Sequence, residues 1–287
     1  MSEVSLENLF NLETLEAGLY RGNSWDLGYR ALYGGQVLGQ SVMSAYKTVP
    51  SGRVIHSFHS YFLLPGDASK PVVYDVERVR DGGSFSTRRI KAIQNGRNIF
   101  YMTASFQAGE AGLEHQHANM PRVPSPDEVM PDIQYYDDNL DKLSERMKAS
   151  LCYHRPLDIR SVGGRQAFIA QKREPNRKIW LRGRDALSDD ITVNQASLAY
   201  ASDYHFLSTS LQAHGLAVQD KSLRMATIDH AMWFHKPFKF DDWLMYEMES
   251  PFSGNGRALV QGKIYDKDGT LVASSVQEGL LRQVQKT

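Results

Sequence analysis

The chain contains the same order of segments twice, and this internal repeat restricts the possible folds more than any other feature. Each copy has a helical segment, an aromatic strand, a second strand and then two strands joined as a hairpin. The predicted helices span 34–43 and 192–211. The predicted strands span 55–65, 71–80, 84–95 and 98–107 in the first copy, and 225–237, 243–250, 256–266 and 270–281 in the second.

Turn signals and local similarity support the repeat. Asn95-Gly96 and Asp268-Gly269 each predict a tight hairpin between the last two strands of a copy. The closing strands, 102–107 and 272–277, align at an offset of 170 positions. A helix followed by an antiparallel run of strands excludes a doubly wound sheet, in which strands and helices alternate. The sequence therefore predicts an α+β fold in which a sheet wraps around one long helix, used twice.

The segment between the two copies, 109–156, is rich in proline and acidic residues. This composition predicts a linker, and its stretch 135–150 has the charge density of a surface helix, with Asp137 or Asp138 as the cap. We divide the chain into an N-terminal repeat (1–110), a Pro-rich linker with a surface helix (111–152) and a C-terminal repeat (153–287).

The composition argues against several classes of protein. The 33 basic and 33 acidic residues cancel, and the isoelectric point of 7.1 gives no overall field for nucleic acid or an anionic membrane. A single cysteine, Cys152, cannot form a disulfide within the chain, which fits a reducing compartment. The sequence shows no apolar run of spanning length, no signal-peptide pattern at its start and no Ser-Lys-Leu signal at its end. We therefore expect a cytoplasmic protein without stable membrane insertion.

Three polar residues of the second copy are candidates for chemistry. Asp203 falls within the second predicted helix, where its neighbours one turn away are apolar, and buried carboxylates are often functional. Thr227 lies on the aromatic strand and can face the helix. Gln277 shares one face of the last strand with small residues, where an amide can orient a water or a carbonyl. Each also has an ordinary structural interpretation, such as a core polar network or β propensity.

Several common catalytic motifs are missing from the sequence. It has no Gly-x-Ser-x-Gly elbow, no His-Glu-x-x-His, no phosphate-binding Gly-x-x-x-x-Gly-Lys and no spaced cysteines. In a strand, His56 and His59 point to opposite faces and therefore do not share a metal ion. His115 and His117 lie in the linker, where we expect them to be solvated. We expect no metal and no cofactor.

Four residues of the first copy are candidates for substrate binding. Arg88 and Arg89, with two arginines of the preceding strand, form the densest basic cluster and are candidates for contacts with phosphate groups, although such residues more often form a solvated strand face. Gly34 and Gly35 open the first helix and can permit the close approach of a substrate, although a glycine-led helix is otherwise only a turn signal.

Four long blocks carry a resemblance to a known family. They are FHSYFLLPGD (58–67), FYMTASFQ (100–107), ATIDHAMWFH (226–235) and LVASSVQEG (271–279). With these blocks, the chain closely resembles bacterial acyl-CoA thioesterase II over essentially its whole length. The resemblance implies a double hotdog fold, fatty acyl-CoA as the substrate and assembly into a homo-oligomer, a dimer or tetramer.

The resemblance also implies a catalytic group made of Asp203, Thr227 and Gln277. In this scheme Asp203 activates a water molecule, while Thr227 and Gln277 hold that water in line with the thioester carbonyl. The reaction needs no cofactor and no covalent intermediate. Backbone N–H groups near a helix start are the natural donors to the oxyanion.

Comparing the two copies predicts which one is active. Aligning the helices sets Ser44 against Asp203, and aligning the aromatic strands at an offset of 172 sets Ile55 against Thr227. In this alignment the first copy retains only Gln107 as the counterpart of a site residue. We therefore predict that the N-terminal repeat is catalytically silent and serves packing or ligand binding.

Two other functions compete with hydrolysis. Hotdog enzymes that resemble enoyl-CoA hydratases pair an aspartate with a histidine five residues later, but here that position is Ser208, and His205 follows Asp203 by two. A non-catalytic acyl-CoA-binding protein is the other alternative, and the presence of all three site residues makes it less favoured.

Overall fold

The computed structural model describes residues 4–284 except 139, 143–144, 155 and 165–168. The helices are α1 (Leu6–Phe10), α2 (Gly34–Tyr46), α3 (Asp132–Asp137), α4 (Glu145–His154) and α5 (Ile191–Ala201), with 3-10 turns at Pro126–Glu128, Leu140–Lys142 and Leu207–His214. The strands are β1 (Glu13–Glu16), β2 (Leu19–Gly22), β3 (Arg53–Phe62), β4 (Val72–Asp81), β5 (Phe85–Gln94), β6 (Arg97–Ala108), β7 (Leu157–Ser161), β8 (Asn176–Gly183), β9 (Leu223–Thr227), β10 (Asp229–Phe234), β11 (Leu244–Gly254), β12 (Arg257–Asp266) and β13 (Leu271–Gln283).

The described strands form one antiparallel sheet in which the order of the first half is repeated in the second. The first half runs β1-β2-β4-β5-β6-β3, and the second runs β7-β8-β11-β12-β13-β10. Strands β3 and β10 pair with each other, which makes the two halves one continuous sheet. This arrangement confirms the predicted repeat of a sheet around a helix.

Each half also begins with two strands that the sequence did not reveal, β1 with β2 and β7 with β8. Strand β1 has four residues, all exposed, so it lacks the alternation of apolar and polar residues that marks a half-buried strand. The long helix of each half therefore follows a pair of strands instead of opening the repeat.

The two long helices, α2 and α5, pack directly against each other inside the sheet. Glycines on α2 make this close approach possible. A Cβ atom on Gly35 would lie 2.1 Å from the backbone oxygen of Tyr200, and one on Gly39 would lie 2.9 Å from the backbone oxygen of Ala196. Because no side-chain carbon fits at these distances, the contact between the two helices depends on glycine at both positions.

The predicted linker lies along the outer face of the second half of the sheet. Gln116 accepts a hydrogen bond from the Leu271 N–H, and the Trp180 indole donates to the Pro124 carbonyl oxygen. Met120 and Val123 pack against a small apolar cluster on this face. His115 and His117 are exposed, as expected. The segment that connects the two halves therefore packs against the sheet of the second half.

The prediction of a single surface helix over 135–150 is wrong. The described residues of this region form the short helices α3 and α4 with a 3-10 turn between them, and residues 139 and 143–144 lie outside the described chain. Asp138 follows the last turn of α3 at its C-terminal end instead of capping a helix start. In the part of the chain that the structure describes, no helix is long and apolar enough to cross a membrane.

Candidate active site

Asp203 lies in the turn after α5 and not within a helix, which corrects the sequence prediction. Helix α5 ends at Ala201, with Ser202 as its C-cap, and Asp203 follows. The Gly35 N–H at the start of α2 donates a hydrogen bond of 3.0 Å to Asp203 Oδ2. The carboxylate therefore caps a helix of the other repeat, at the end where the helix dipole favours negative charge.

The surroundings of Asp203 change its acidity. Burial raises the pKa of Asp203 from the ordinary 3.8 to about 7, while hydrogen bonds from the Gly35 N–H and the Gln277 amide lower it in part. A carboxyl group with a pKa near neutrality can accept a proton and release it again at the pH of a cell. The electrostatics of this turn therefore fit a general base.

Gln277 joins Asp203 to Thr227. Its side chain is fully buried on the inward face of β13, as the sequence pattern indicated. The Gln277 amide donates a hydrogen bond of 2.8 Å to Thr227 Oγ1 and also lowers the pKa of Asp203 in part. The structure thus brings the three predicted residues together at one point between the helix layer and the sheet.

A break in the predicted aromatic strand places Thr227 in this group. Strand β9 ends at Thr227, strand β10 begins at Asp229, and Ile228 between them donates its N–H to the Glu278 carbonyl oxygen. The Asp229 carboxylate accepts from the Glu278 N–H at 2.8 Å and fixes the break. On an unbroken strand, Thr227 and His230 would point to opposite faces. Because of the break, both reach Gln277.

His230 is a site residue that the sequence analysis missed. It is fully buried, and its Nδ1 lies 2.8 Å from Gln277 Oε1. Burial lowers the pKa of His230 from 6.5 to about 4, and the bond to Gln277 raises it in part. The ring is therefore neutral at pH 7. Its position on the same strand as Thr227 was visible in the sequence, but no spacing motif distinguished it from a core histidine.

A pocket of about 230 Å³ opens onto the three predicted residues. Aromatic and apolar side chains form much of its wall, including Tyr29, Tyr33, Tyr204, Phe206, Leu207 and Met225. Gly34 lies beside Asp203, and a Cβ atom on it would come within 2.8 Å of Asp203 Oδ2. Gly34 therefore makes room for the Asp203 carboxylate, whereas Gly35 makes room for the Tyr200 carbonyl oxygen and the Tyr33 ring. Admission of a substrate by these two glycines stays a prediction.

The two arginines proposed as phosphate contacts lie elsewhere. Arg88 is fully buried on the inward side of β5, where it donates to Thr48 Oγ1 at 2.8 Å and pairs with Asp81. A buried guanidinium that is already paired is not accessible to phosphate groups, so the structure contradicts the predicted phosphate contact of Arg88 as well as the alternative of a solvated strand face. Arg89 is exposed and pairs with Glu77 at 3.2 Å.

The positions in the first repeat that correspond to the site can be read from the strand registers. Ala92 lies opposite Phe100 and Ile264 opposite Ala273, and directly after each pair the register shifts. Matching these two shifts makes Phe100 the counterpart of Ala273. Four residues further along the same strands, Ala104 is therefore the counterpart of Gln277.

This match corrects the alignment that made Gln107 the counterpart of Gln277. Gln107 is only partly buried, and its amide faces Glu110 at the exposed end of β6. Side chains alternate across a sheet, so an error of one position moves a residue to the other face. Ser44 lies within α2, where its hydroxyl donates to the Ser41 carbonyl oxygen.

Among the described residues, no group of three or more His, Cys, Asp or Glu side chains is arranged to hold a metal ion. His56 lies 2.8 Å from Ser105 Oγ, whereas the ring of His59 packs edge-on against Trp233.

The fold and the site together define a double hotdog protein in which one half brings a carboxylate, an amide and a hydroxyl group together. A hot dog fold protein of unknown function from Alicyclobacillus acidocaldarius has this fold, with a TM-score of 0.77 at 17% identity. Family models for the acyl-CoA thioesterase and for the acyl-CoA thioesterase N-terminal domain match residues 148–280 and 22–107. The chain belongs to the acyl-CoA thioesterase family.

Relatives of known name match over nearly their whole length. Acyl-CoA thioesterase 2 of Haemophilus influenzae is 38% identical, covering 98% of this chain and 99% of the relative. Human acyl-coenzyme A thioesterase 8 is 37% identical, covering 98% and 90%. The crystal structure of acyl-CoA thioesterase II TesB2 from Mycobacterium marinum gives a TM-score of 0.79 at 38% identity, covering 97% of this chain and 98% of that one.

Proposed function

We propose that the protein hydrolyses fatty acyl-CoA to a free fatty acid and CoA with a water molecule activated by Asp203. Membership of the acyl-CoA thioesterase family supports the reaction class. The observation that carries the assignment of the site is that Asp203, Thr227 and Gln277, which are distant in sequence, converge on one pocket.

The proposed reaction has two steps. The ionised Asp203 carboxylate takes a proton from water as the water oxygen bonds to the thioester carbon, and this gives a tetrahedral oxyanion. The carbon–sulfur bond then breaks, and the proton leaves Asp203 for the departing sulfur or for solvent. Thr227 and Gln277 fix the position of the water, and general-base assistance of this kind contributes about 10²–10⁴-fold.

The start of α2 is the natural place for the oxyanion. The Gly35 N–H of its first turn donates to the Asp203 carboxylate, and the helix dipole there favours negative charge. We propose that the thioester carbonyl lies against this end of α2. The aromatic wall that includes Tyr29 and Tyr33 is the proposed contact for the rest of the substrate.

We propose that the first repeat has no active site of its own. Its counterparts to Thr227 and Gln277 are Ile55 and Ala104, neither of which binds or orients water. Beside Ala104, the paired position on β5 is Arg88, which fills the interior and bonds to Thr48. The space that holds the site in the second repeat is therefore occupied by a side chain in the first.

The surroundings of His205 disfavour the hydratase alternative. Its ring pairs with Asp132 at 3.3 Å, and its backbone has the uncommon positive φ of 59°. Ser208, at the position where a hydratase-like pair would need histidine, donates its hydroxyl to the His205 carbonyl oxygen. These contacts fit a structural role for both residues.

We also propose that the protein works in the cytoplasm as a homo-oligomer. The free, exposed thiol of Cys152 fits a reducing compartment. The proposal of a homo-oligomer rests on the resemblance to acyl-CoA thioesterase II.

The test is the release of CoA from a panel of acyl-CoAs by the purified protein and by the Asp203→Asn variant, with Asp268→Asn in an exposed turn as the surface control. We expect Asp203→Asn to lose at least 10²-fold in kcat while the control keeps its rate. Equal rates in the wild type and in Asp203→Asn would remove Asp203 from the mechanism. Binding of acyl-CoA without release would instead identify a carrier.

A single turnover in ¹⁸O-labelled water tests the absence of a covalent intermediate. Direct attack by water puts the label into the fatty acid and leaves the peptide that contains Asp203 unlabelled. Label in that peptide would show that the carboxylate had attacked the thioester carbon itself.

A further inference from the structure

His230 is enclosed by aromatic rings and bonded at both ring nitrogens. Its ring stacks on Phe58 at a centroid distance of 6.1 Å and lies 5.6 Å from Phe206. Its Nδ1 is 2.8 Å from Gln277 Oε1, and its Nε2 is 3.1 Å from Ser202 Oγ. A buried ring with an aromatic ring stacked on it and a partner at both nitrogens has one orientation.

The partners of Gln277 determine which nitrogen of His230 carries the proton. The Gln277 nitrogen donates to Thr227 Oγ1, and the Gln277 oxygen lies 2.8 Å from His230 Nδ1. An amide oxygen only accepts hydrogen bonds. His230 Nδ1 therefore carries the hydrogen and donates it, which is the neutral form that burial favours.

The first repeat shows what happens at this position when the site is missing. Phe62 pairs with Phe100 and Phe234 pairs with Ala273, so matching Phe100 to Ala273 also matches Phe62 to Phe234. Four residues earlier on the same strands, Phe58 is the counterpart of His230. The histidine, threonine and glutamine are thus replaced together by Phe58, Ile55 and Ala104, which indicates that His230 belongs to the same functional group.

We propose that His230 is a positioning residue that holds the Gln277 amide in the one orientation that presents its nitrogen to Asp203 and Thr227. This inference rests on the proposed function. An amide can turn over at little cost when its two ends have similar partners, but here the His230 N–H can donate only to the oxygen end. The histidine acts on the reaction through Gln277 and does not touch the reacting atoms.

Without this restraint, the amide can turn over and place its oxygen beside the Asp203 carboxylate. Two effects then follow. The carboxylate loses a hydrogen bond that stabilises its ionised form, which raises its pKa further. The water also loses its fixed position, and misplacement by about 1 Å can cost roughly 10²-fold in rate.

The test compares His230→Leu with His230→Asn. Asparagine places an N–H close to the position of Nδ1, whereas leucine has no donor. We expect the Leu variant to lose about 10²-fold in kcat with KM changed less than 3-fold, and the acidic limb of its pH profile to move to higher pH. The Asn variant is expected to recover most of the rate and the original pH profile.

The Gln277→Ala background separates positioning from a general packing defect. In that background, changing His230 to Leu is expected to add less than 3-fold, because there is no amide left to orient. An equal loss in both backgrounds, or full kcat in His230→Leu, would overturn the proposal. If the single Asp203→Asn variant keeps its activity, the proposed function itself fails, and this outcome is independent of the His230 comparison.

Discussion

At the scale of single residues, the second repeat supplies the proposed base and the first repeat supplies a contact that holds it. The Gly35 N–H reaches across the helix interface to Asp203, so the base is stabilised at the start of a helix to which it does not belong. Burial and this hydrogen bond act in opposite directions on its acidity, and burial is the stronger. The outcome is a carboxyl group that titrates near neutral pH.

This balance predicts the pH dependence of the reaction. Since the ionised form of Asp203 is the base, kcat/KM should rise with pH and reach half its plateau near pH 7, the value to which burial raises the pKa. The measurement is the rate of CoA release between pH 5 and 9 at low substrate concentration. An acidic limb centred near pH 4 would mean that Asp203 has an ordinary acidity.

The same shift predicts a change in stability. The pKa of Asp203 is higher in the folded chain than its ordinary 3.8, so the folded state loses stability as pH rises from about 4 to about 7. Asp203→Asn has no such titration and should therefore gain stability relative to the wild type over this range, by about 4 kcal/mol at most. Urea unfolding of both proteins at pH 4 and pH 8 measures the difference, and a constant difference would contradict the raised pKa.

Arg88 is predicted to contribute to stability and not to substrate binding. Its replacement by leucine leaves buried oxygens of Thr48 and neighbouring backbone without their donor, so we expect a loss of about 2–4 kcal/mol in the free energy of unfolding. The KM of the folded variant for acyl-CoA should stay unchanged because Arg88 does not line the pocket. Arg89→Gln is the matched control and should change stability by less than about 0.5 kcal/mol. A raised KM in the Leu variant alone would return Arg88 to substrate binding.

At the scale of secondary structure, the packing of α2 on α5 couples stability to the site. In Gly35→Ala, the new Cβ would meet the Tyr200 carbonyl oxygen at 2.1 Å, so the helices must separate. We expect a loss of about 3 kcal/mol in unfolding free energy together with a reduced kcat, because the N–H that holds Asp203 moves as well. Gly109→Ala, where a Cβ has open space, is the control. A Gly35→Ala protein of normal stability and rate would show that the two helices can part without consequence.

The elements show which parts of the fold the sequence determines locally. The long helices, the hairpins at Asn95-Gly96 and Asp268-Gly269 and the inward face of β13 follow from periodicity and turn chemistry, and they were predictable. The end of α5 at Ala201 was not, because the apolar pattern continues through the following turns. The break at Ile228 was also not predictable, because it depends on a hydrogen bond to Glu278 on a distant strand.

The candidate site divides in the same way. The resemblance named the three polar residues, while their individual patterns were weak. His230 and the burial of Arg88 were missed because both depend on which strands become neighbours, which a sequence pattern does not show. Gln107 was misassigned because a slip of register in the alignment put it on the wrong face.

At the scale of the whole molecule, the site needs both halves of the chain. Residues 112–287 contain Asp203, Thr227 and Gln277 but lack α2 and β3, which supply the Gly35 N–H and the strand paired with β10. We expect this fragment alone to release no CoA, and co-expression with residues 1–111 to restore the activity. CoA release by the isolated fragment at the rate of the full chain would show that α2 is dispensable.

The pairing of β3 with β10 within one chain has a consequence for how the sequences of the two repeats can evolve. If two identical copies paired through these strands as separate chains, every substitution would occur in both copies. A residue that fills the interior of one copy would then fill the interior of the other. Joined in one chain, the halves vary independently. The interior of the first repeat can then acquire Arg88 and Phe58 and become more stable. The interior of the second repeat keeps the buried Asp203 carboxyl group and the loss of stability that this group causes.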